Sequence, residues 1–226
     1  MSKREDIDYS LYLVTDKKLS LGRSNIEIIE AAIDGGVTVV QLREKELGGR
    51  EFYEEALKVK AILKEWHIPL IINDRVDIAM AVRADGVHIG QDDLPVIAVR
   101  PLVGSEMIIG VSIFTPEEAR LAEQMGADYV GLSPIFVTAT KPELNRQIGI
   151  EGIPAIRQAC GIPLVGIGSM NESNAFEVIS AGLDGVAVVS GIVSQNDVIS
   201  AAKAIKAEVM RAKGLFLDGI EPGELR

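Results

Sequence analysis

The chain has 226 residues, 47% of them hydrophobic and 25% charged, which suits one globular α/β domain and argues against a disordered chain. Its net charge of −10 argues against a nucleic-acid partner, so positive charge for any anionic ligand must be local and focused. The single cysteine, Cys160, excludes an intrachain disulfide, and no apolar run reaches membrane-spanning length; both point to the cytoplasm.

Aromatic residues are only 4% of the chain, so the core must be built from Val, Ile, Leu and Ala, as in buried parallel strands. Apolar runs at 11–15, 37–42, 70–73, 86–89, 107–111, 129–132, 163–166 and 185–189 read as strands. Stretches long enough for helical crossovers separate them. After Gly48, the residues Phe52, Ala56, Val59, Leu63 and Trp66 recur at steps of four and three, which draws one apolar helix face. Thr115-Pro116-Glu117-Glu118 combines an N-cap, a proline in the first turn and a capping glutamate, so a helix starts there. Asn171 is a similar start signal for a helix running to about Gly182. Gly35-Gly36-Val37, Ala84-Asp85-Gly86-Val87, Gly126-Ala127-Asp128-Tyr129 and Gly182-Leu183-Asp184-Gly185 repeat one joint, in which glycine ends a helix and a short turn feeds the next strand. Eight β-then-α units predict an α/β fold of the closed (β/α)8 TIM-barrel type. It should span residues 1–213 as a single catalytic domain, with 214–226 as an irregular tail rich in Gly, Pro and acid.

Active sites of such barrels lie at the C-terminal strand ends, so polar residues there carry the functional signal. On the second strand Val37, Val39, Gln41, Arg43 and Lys45 share one parity, while Val40 and Leu42 share the other. The apolar parity should face the helices, which turns Gln41, Arg43 and Lys45 toward the barrel mouth. Two cations there need anionic partners: a ligand, or Glu44, Asp74 or another barrel carboxylate. The third and fourth strands end in Asn73-Asp74 and Gly90-Gln91-Asp92-Asp93. Asp74 and Asp93 could each cap a helix, but beside Arg43 and Lys45 they read better as carboxylates for Mg²⁺. His88, within an apolar strand, reads as a hydrogen-bonded structural residue, and His67 belongs to a strand entrance at the other end. A long polar loop after the sixth strand carries Thr138, Ala139, Thr140 and Lys141, whose hydroxyls and ammonium suit a phosphate clamp. Gly168-Ser169 after the seventh strand and Val189-Ser190-Gly191 after the eighth occupy the usual phosphate cradle of barrels. The mouth therefore offers two anion sites, one strong enough for a pyrophosphate and one suited to a phosphomonoester.

From Tyr12 to about Ile192 these blocks, in this order, resemble the thiamine phosphate synthase family. They include Tyr12-Leu13-Val14-Thr15-Asp16, Gln41-Leu42-Arg43-Glu44-Lys45, His88-Ile89-Gly90-Gln91-Asp92-Asp93, Gly110-Val111-Ser112 and Pro134-Ile135-Phe136. The resemblance implies a transferase that couples hydroxymethylpyrimidine pyrophosphate to a thiazole phosphate, or its carboxylated form, giving thiamine phosphate and pyrophosphate. It implies that Gln41, Leu42, Arg43, Glu44, Lys45, Asn73, Ser112 and Lys141 hold the pyrimidine pyrophosphate. Thr138, Ala139, Thr140, Ser169, Val189 and Ser190 would hold the thiazole phosphate, and Asp74 and Asp93 Mg²⁺. Arg43, Lys45, Lys141 and Ser112 would stabilise the departing anion, in a reaction that needs no catalytic base. Where the family usually has a second glycine, this chain has Ser169, whose amide is still expected to reach the phosphate. Small-molecule substrates, no membrane and an open oligomeric state complete the expectation. The rivals are a thiazole tautomerase of the same fold, which has little use for the cations and carboxylates together, another phosphate-binding barrel such as a sugar-phosphate epimerase, and a non-catalytic sensor of thiamine phosphate, which needs no metal pair.

Overall fold

The computed structural model describes residues 7–137 and 146–214. Eight parallel strands close in sequence order: β1 Leu11–Val14, β2 Val39–Leu42, β3 Leu70–Asn73, β4 Gly86–Ile89, β5 Ile108–Ile113, β6 Tyr129–Leu132, β7 Leu164–Ile167 and β8 Gly185–Val188. β8 pairs back onto β1 through Leu11, Tyr12 and Leu13, which makes the sheet a barrel. Around it run α1 Asn25–Asp34, α2 Gly49–Glu65, α3 Val76–Val82, α4 Val96–Val103, α5 Pro116–Gln124, α6 Ile153–Ala159, α7 Ala175–Ser180, α8 Ser190–Val193 and α9 Val198–Ala212. The expected (β/α)8 barrel is therefore present, with strand limits within two residues of those read from the sequence. Among the described residues no helix is long and apolar enough to cross a membrane.

Strand parity sorts the core into two layers. Val40 and Leu42 of β2 join the large aliphatic layer between sheet and helices, together with Ile28, Phe52 and Leu63. Val39 joins the barrel interior with Tyr12, Val14, Ile71, Ile108, Tyr129, Val165 and Ala187. Val37 shares the sequence parity of Val39 but packs in the outer layer, because the chain there has not yet entered the strand. The helix face of Phe52, Ala56, Val59 and Leu63 is buried as expected, whereas Trp66 caps α2 and stays exposed.

The repeated joints have a common physical role. Before β4, β6 and β8 the carboxylates of Asp85, Asp128 and Asp184 accept from the backbone amides of Leu70, Ile109 and Leu164, at 2.9, 2.7 and 2.7 Å. Thr38 does the same before β2, its hydroxyl accepting from Leu11 N at 3.1 Å. Each side chain thus satisfies an amide at the base of the preceding strand, which would otherwise be left unpaired near the core. Gly36, Gly126 and Gly182 carry the positive φ that ends the preceding helix. At the remaining joint the expected glycine stop is absent, and Arg83 itself turns left-handed at φ 53°.

Thr115 forms the expected capping box with Glu118. The start expected at Asn171 is displaced: residues 172–174 form a turn, and α7 begins at Ala175 with the Asn174 side chain accepting from Asn171 N at 3.0 Å. The first turn of that segment is taken up by the loop that shapes the mouth.

Gly185 shows how closely β8 meets the start of β1, since a Cβ there would lie 1.7 Å from the Tyr9 carbonyl oxygen. Gly185→Ala should cost about 3 kcal/mol and lower the melting temperature by roughly 6–12 °C. A variant melting within a degree of the parent would show that closure of the barrel is less tight than this packing implies.

Candidate active site

The mouth at the C-terminal strand ends holds a cavity open to solvent. Gln41, Arg43, Asn73, Ser112, Ser169, Val189 and Ser190, all expected site residues, line it.

Arg43 and Lys45 follow the end of β2 at Leu42, and carboxylates of neighbouring strand ends answer them. Arg43 donates to Asp16 Oδ2 at 2.7 Å, and the pair is largely buried, with side chains 19% and 11% exposed. Asp16 is itself fixed by the amides of Lys18 and Leu19, which donate to its Oδ1 at 3.0 and 3.2 Å. The Arg43 amide donates to Thr15 Oγ1 at 2.9 Å. Asp16 belongs to a quoted block of the sequence but had no assigned role. Its signal was the parity of Tyr12 and Val14, which carries it to the same mouth. Lys45 is more exposed and pairs with Asp74. Both cations beyond the end of β2 thus have carboxylate partners, one of them the anticipated Asp74.

Asp74 and Asp93 are not helix caps. Asp74 sits at φ 60° beyond β3, and α3 starts after Arg75 without a side-chain cap. Asp93 Oδ2 accepts from Gly90 N at 2.7 Å within its own loop, and α4 starts later, after Pro95. The Asp93 carboxyl is pushed above the ordinary aspartate range, first by burial, against the opposing Gly90 amide, and then by the neighbouring charge and hydrogen bonding of Asp74.

Leu42 and Glu44 have side chains directed elsewhere. Leu42 is buried in the outer core, and Glu44 accepts from Asn25 Nδ2 of α1 at 2.6 Å. Burial and the nearby Glu55 raise the Glu44 carboxyl, while Asn25 opposes them. Alternation explains both: the neighbours of Arg43 on its strand point to the opposite face. Thr138, Ala139, Thr140 and Lys141 lie outside the described residues, as does the tail from 215.

The phosphate cradle after β7 is tight. At Gly168, φ 116°, a Cβ would come within 2.9 Å of the Phe136 carbonyl oxygen, so only glycine fits there. Ser169 follows at φ 52°, and its hydroxyl donates to the Val137 carbonyl at 2.8 Å. Its own carbonyl accepts from Asn171 Nδ2 and Asn174 Nδ2, both at 3.0 Å. The serine thus ties the β7 loop to the stretch after β6, with three hydrogen bonds to offset the left-handed backbone.

His88 is hydrogen-bonded at both ring nitrogens, as its place in an apolar strand suggested. It also lines the cavity, together with Tyr12 and Tyr129, which sequence reading had not placed in the site. Both phenols are buried, and burial pushes each above the ordinary tyrosine range, so they remain protonated.

The profile of the family described as thiamine monophosphate synthase matches residues 11–192. The chain belongs to this family. It is 51% identical over 209 residues to the thiamine-phosphate synthase of Chloroflexus aurantiacus, covering 92% of this chain and 96% of that one. With the thiamine-phosphate synthase of Syntrophomonas wolfei the identity is again 51%, over 88% and 95% of the two chains. The solved thiamine phosphate pyrophosphorylase from Pyrococcus furiosus superimposes with a TM-score of 0.85 at 36% identity, covering 92% of this chain and 98% of that one. A 3-hexulose-6-phosphate synthase superimposes at 0.69 with 16% identity, a likeness of fold alone.

Because ionised Asp93 is opposed by burial and by Asp74, its raised pKa lowers stability above that pKa and not below the unfolded value. Asp93→Asn, which keeps an acceptor for Gly90, should therefore melt at or slightly above the parent at neutral pH without metal. The two should converge in acid, where the parent carboxyl is protonated. A clear loss of melting temperature at pH 7 would contradict this reading of the pair.

Proposed function

We propose that this enzyme is a thiamine phosphate synthase. It joins the methylene carbon of 4-amino-2-methyl-5-(diphosphooxymethyl)pyrimidine to the ring nitrogen of 4-methyl-5-(2-phosphooxyethyl)thiazole, or of its carboxylated form, and releases pyrophosphate. The observation that carries the reading is the pairing of Arg43 and Lys45 with carboxylates at the mouth of a barrel, beside the tight cradle of Gly168 and Ser169.

The residues divide the work. Arg43 is delocalised and fixed by Asp16, so its remaining N–H groups are oriented before the substrate arrives. Lys45, half exposed, can swing from Asp74 to a phosphate oxygen. Asn73 and Ser112 supply neutral polar groups from neighbouring strand ends, and Lys141 adds a further cation in this reading. As the carbon–oxygen bond breaks, negative charge grows on the departing pyrophosphate, and these donors are worth most at that moment. The thiazole nitrogen then captures the pyrimidine methylene cation, so no side chain has to act as nucleophile or base. The amides at Ser169 and Ser190, with the loop residues Thr138, Ala139 and Thr140, hold the thiazole phosphate.

Asp74 and Asp93 fit Mg²⁺. Among the described residues no group of three or more His, Cys, Asp or Glu gathers, but Mg²⁺ is commonly held by one or two carboxylates together with substrate phosphate oxygens. The mutual repulsion of the two carboxylates is what a divalent cation would relieve. When bound, the ion would neutralise charge on the pyrophosphate. The cytoplasm is the compartment in this reading, supported by the lone, buried Cys160 as a free thiol. A tautomerase is less well supported, since proton transfer on a thiazole has no use for Arg43 and Lys45 held in this way.

The test is direct. Purified protein with both substrates and Mg²⁺ should form thiamine phosphate and pyrophosphate, and chelation by EDTA should stop it. Arg43→Gln should lower kcat/KM by about 10²–10³-fold, measured on the folded fraction, because the variant leaves the buried Asp16 carboxylate without its cation. No thiamine phosphate in the presence of Mg²⁺ would overturn the assignment.

A further inference from the structure

A continuous line of hydrogen bonds crosses the barrel interior and ends on Ser112. Gln41 Nε2 of β2 donates to Tyr12 Oη of β1 at 2.9 Å. Tyr12 Oη lies 2.8 Å from Tyr129 Oη of β6, which lies 2.8 Å from His88 Nδ1 of β4. His88 Nε2 lies 2.9 Å from Ser112 Oγ of β5. Five strands contribute one group each. Two glycines make room for the rings: a Cβ at Gly110 would fall 2.1 Å from Tyr129 Cζ, and one at Gly131 would fall 3.1 Å from His88 Cε1. Tyr9 packs on Tyr129 with centroids 4.9 Å apart and helps to hold the central phenol.

Each hydroxyl has one proton, and a phenol that accepted from both neighbours would leave its own proton without a partner on this line, so the line is satisfied at every member only when all its bonds run the same way. With Gln41 donating to Tyr12, the Tyr12 proton goes to Tyr129 and the Tyr129 proton to His88 Nδ1. His88 then carries its own proton on Nε2 and gives it to Ser112 Oγ. The Ser112 proton is left for the cavity. With the line reversed, Tyr12 would accept from both Gln41 and Tyr129 and its own proton would have no partner on the line, or the Gln41 amide would turn over; His88 Nε2 would then take the Ser112 proton. Ser112 would then offer the cavity only lone pairs, and a phosphate oxygen would find no donor there.

We propose that His88 is a positioning residue that acts through Ser112: as the neutral Nε2–H tautomer it keeps the Ser112 hydroxyl aimed as a donor at the anionic end of the pyrimidine substrate. The proposal rests on the synthase reading for the identity of that anion, but the tautomer does not. Burial keeps both phenols protonated, as the line requires. Neighbouring dipoles in such a line reinforce one another, so a break at Tyr129 should be felt at Ser112.

Two measurements test it on the full-length protein. Nitrogen NMR of the ¹⁵N-histidine-labelled enzyme at neutral pH should show His88 protonated on Nε2 and bare on Nδ1. Tyr129→Phe, which removes only the hydroxyl, should abolish that single-tautomer signature. A wild-type His88 protonated on Nδ1 would overturn the proposal whether or not the protein makes thiamine phosphate. In kinetics, Tyr129→Phe and His88→Asn should each lower kcat/KM for the pyrimidine pyrophosphate by about tenfold. His88→Gln, whose amide reaches the Nε2 position, should recover most of the loss. In a Ser112→Ala background neither Tyr129→Phe nor His88→Asn should cost more than about twofold, because the group they act through is gone. Equal losses in both backgrounds would make His88 a packing residue and overturn the proposal.

Discussion

A strand alternates, and a closed barrel has only two places for what alternates: the helix-covered outside and the interior. That constraint governs the site. Leu42 must face the helices, so Arg43 must face in, and no side-chain freedom can undo the assignment. Once a guanidinium is committed to the mouth, the desolvation it suffers has to be offset by a charge on a neighbouring strand end. Asp16 does this for Arg43 and Asp74 for Lys45. The two pairs differ in burial, and the difference separates a fixed donor from a movable one.

The same carboxylates explain how an enzyme of net charge −10 can receive a polyanion. Without substrate, Asp74 neutralises Lys45 and crowds Asp93. In the proposed reading, a pyrophosphate arriving with a divalent cation would let Lys45 change partner from a carboxylate to a phosphate, and Asp74 and Asp93 would hold the cation. On that reading positive and negative groups would both serve in the mouth, and the exchange between them would make binding energy available for bond breaking.

Much of the fold was legible because buried parallel strands are written as unbroken aliphatic runs, and because Thr115-Pro116-Glu117-Glu118 and Gly36, Gly126 and Gly182 mark element ends by local chemistry. Asp85, Asp128 and Asp184 were visible as a repeat, but their bonds to Leu70, Ile109 and Leu164 depend on strand register. In the site, Gln41, Arg43, Lys45, Asp74 and Asp93 stood out because a polar residue ending an apolar run is conspicuous. Glu44 lies in the same conspicuous segment, yet parity turns it to Asn25. The Tyr12–Tyr129–His88 line could not be read, since its members are 117 and 41 residues apart and meet only when the barrel closes. The turn of the Ser169 hydroxyl toward Val137 was equally hidden, because it follows from a left-handed φ that composition does not reveal.

The central claim is that the mouth binds pyrophosphate and magnesium as one unit, with cations and carboxylates acting together. Titration calorimetry with inorganic pyrophosphate, with and without Mg²⁺, tests it most directly. The account predicts binding at least about tenfold tighter with Mg²⁺, an advantage lost in the Asp74→Ala, Asp93→Ala double variant, as expected when one ion's coupling is worth 1–3 kcal/mol. Pyrophosphate binding that is indifferent to Mg²⁺, or an advantage that survives the loss of both aspartates, would contradict it.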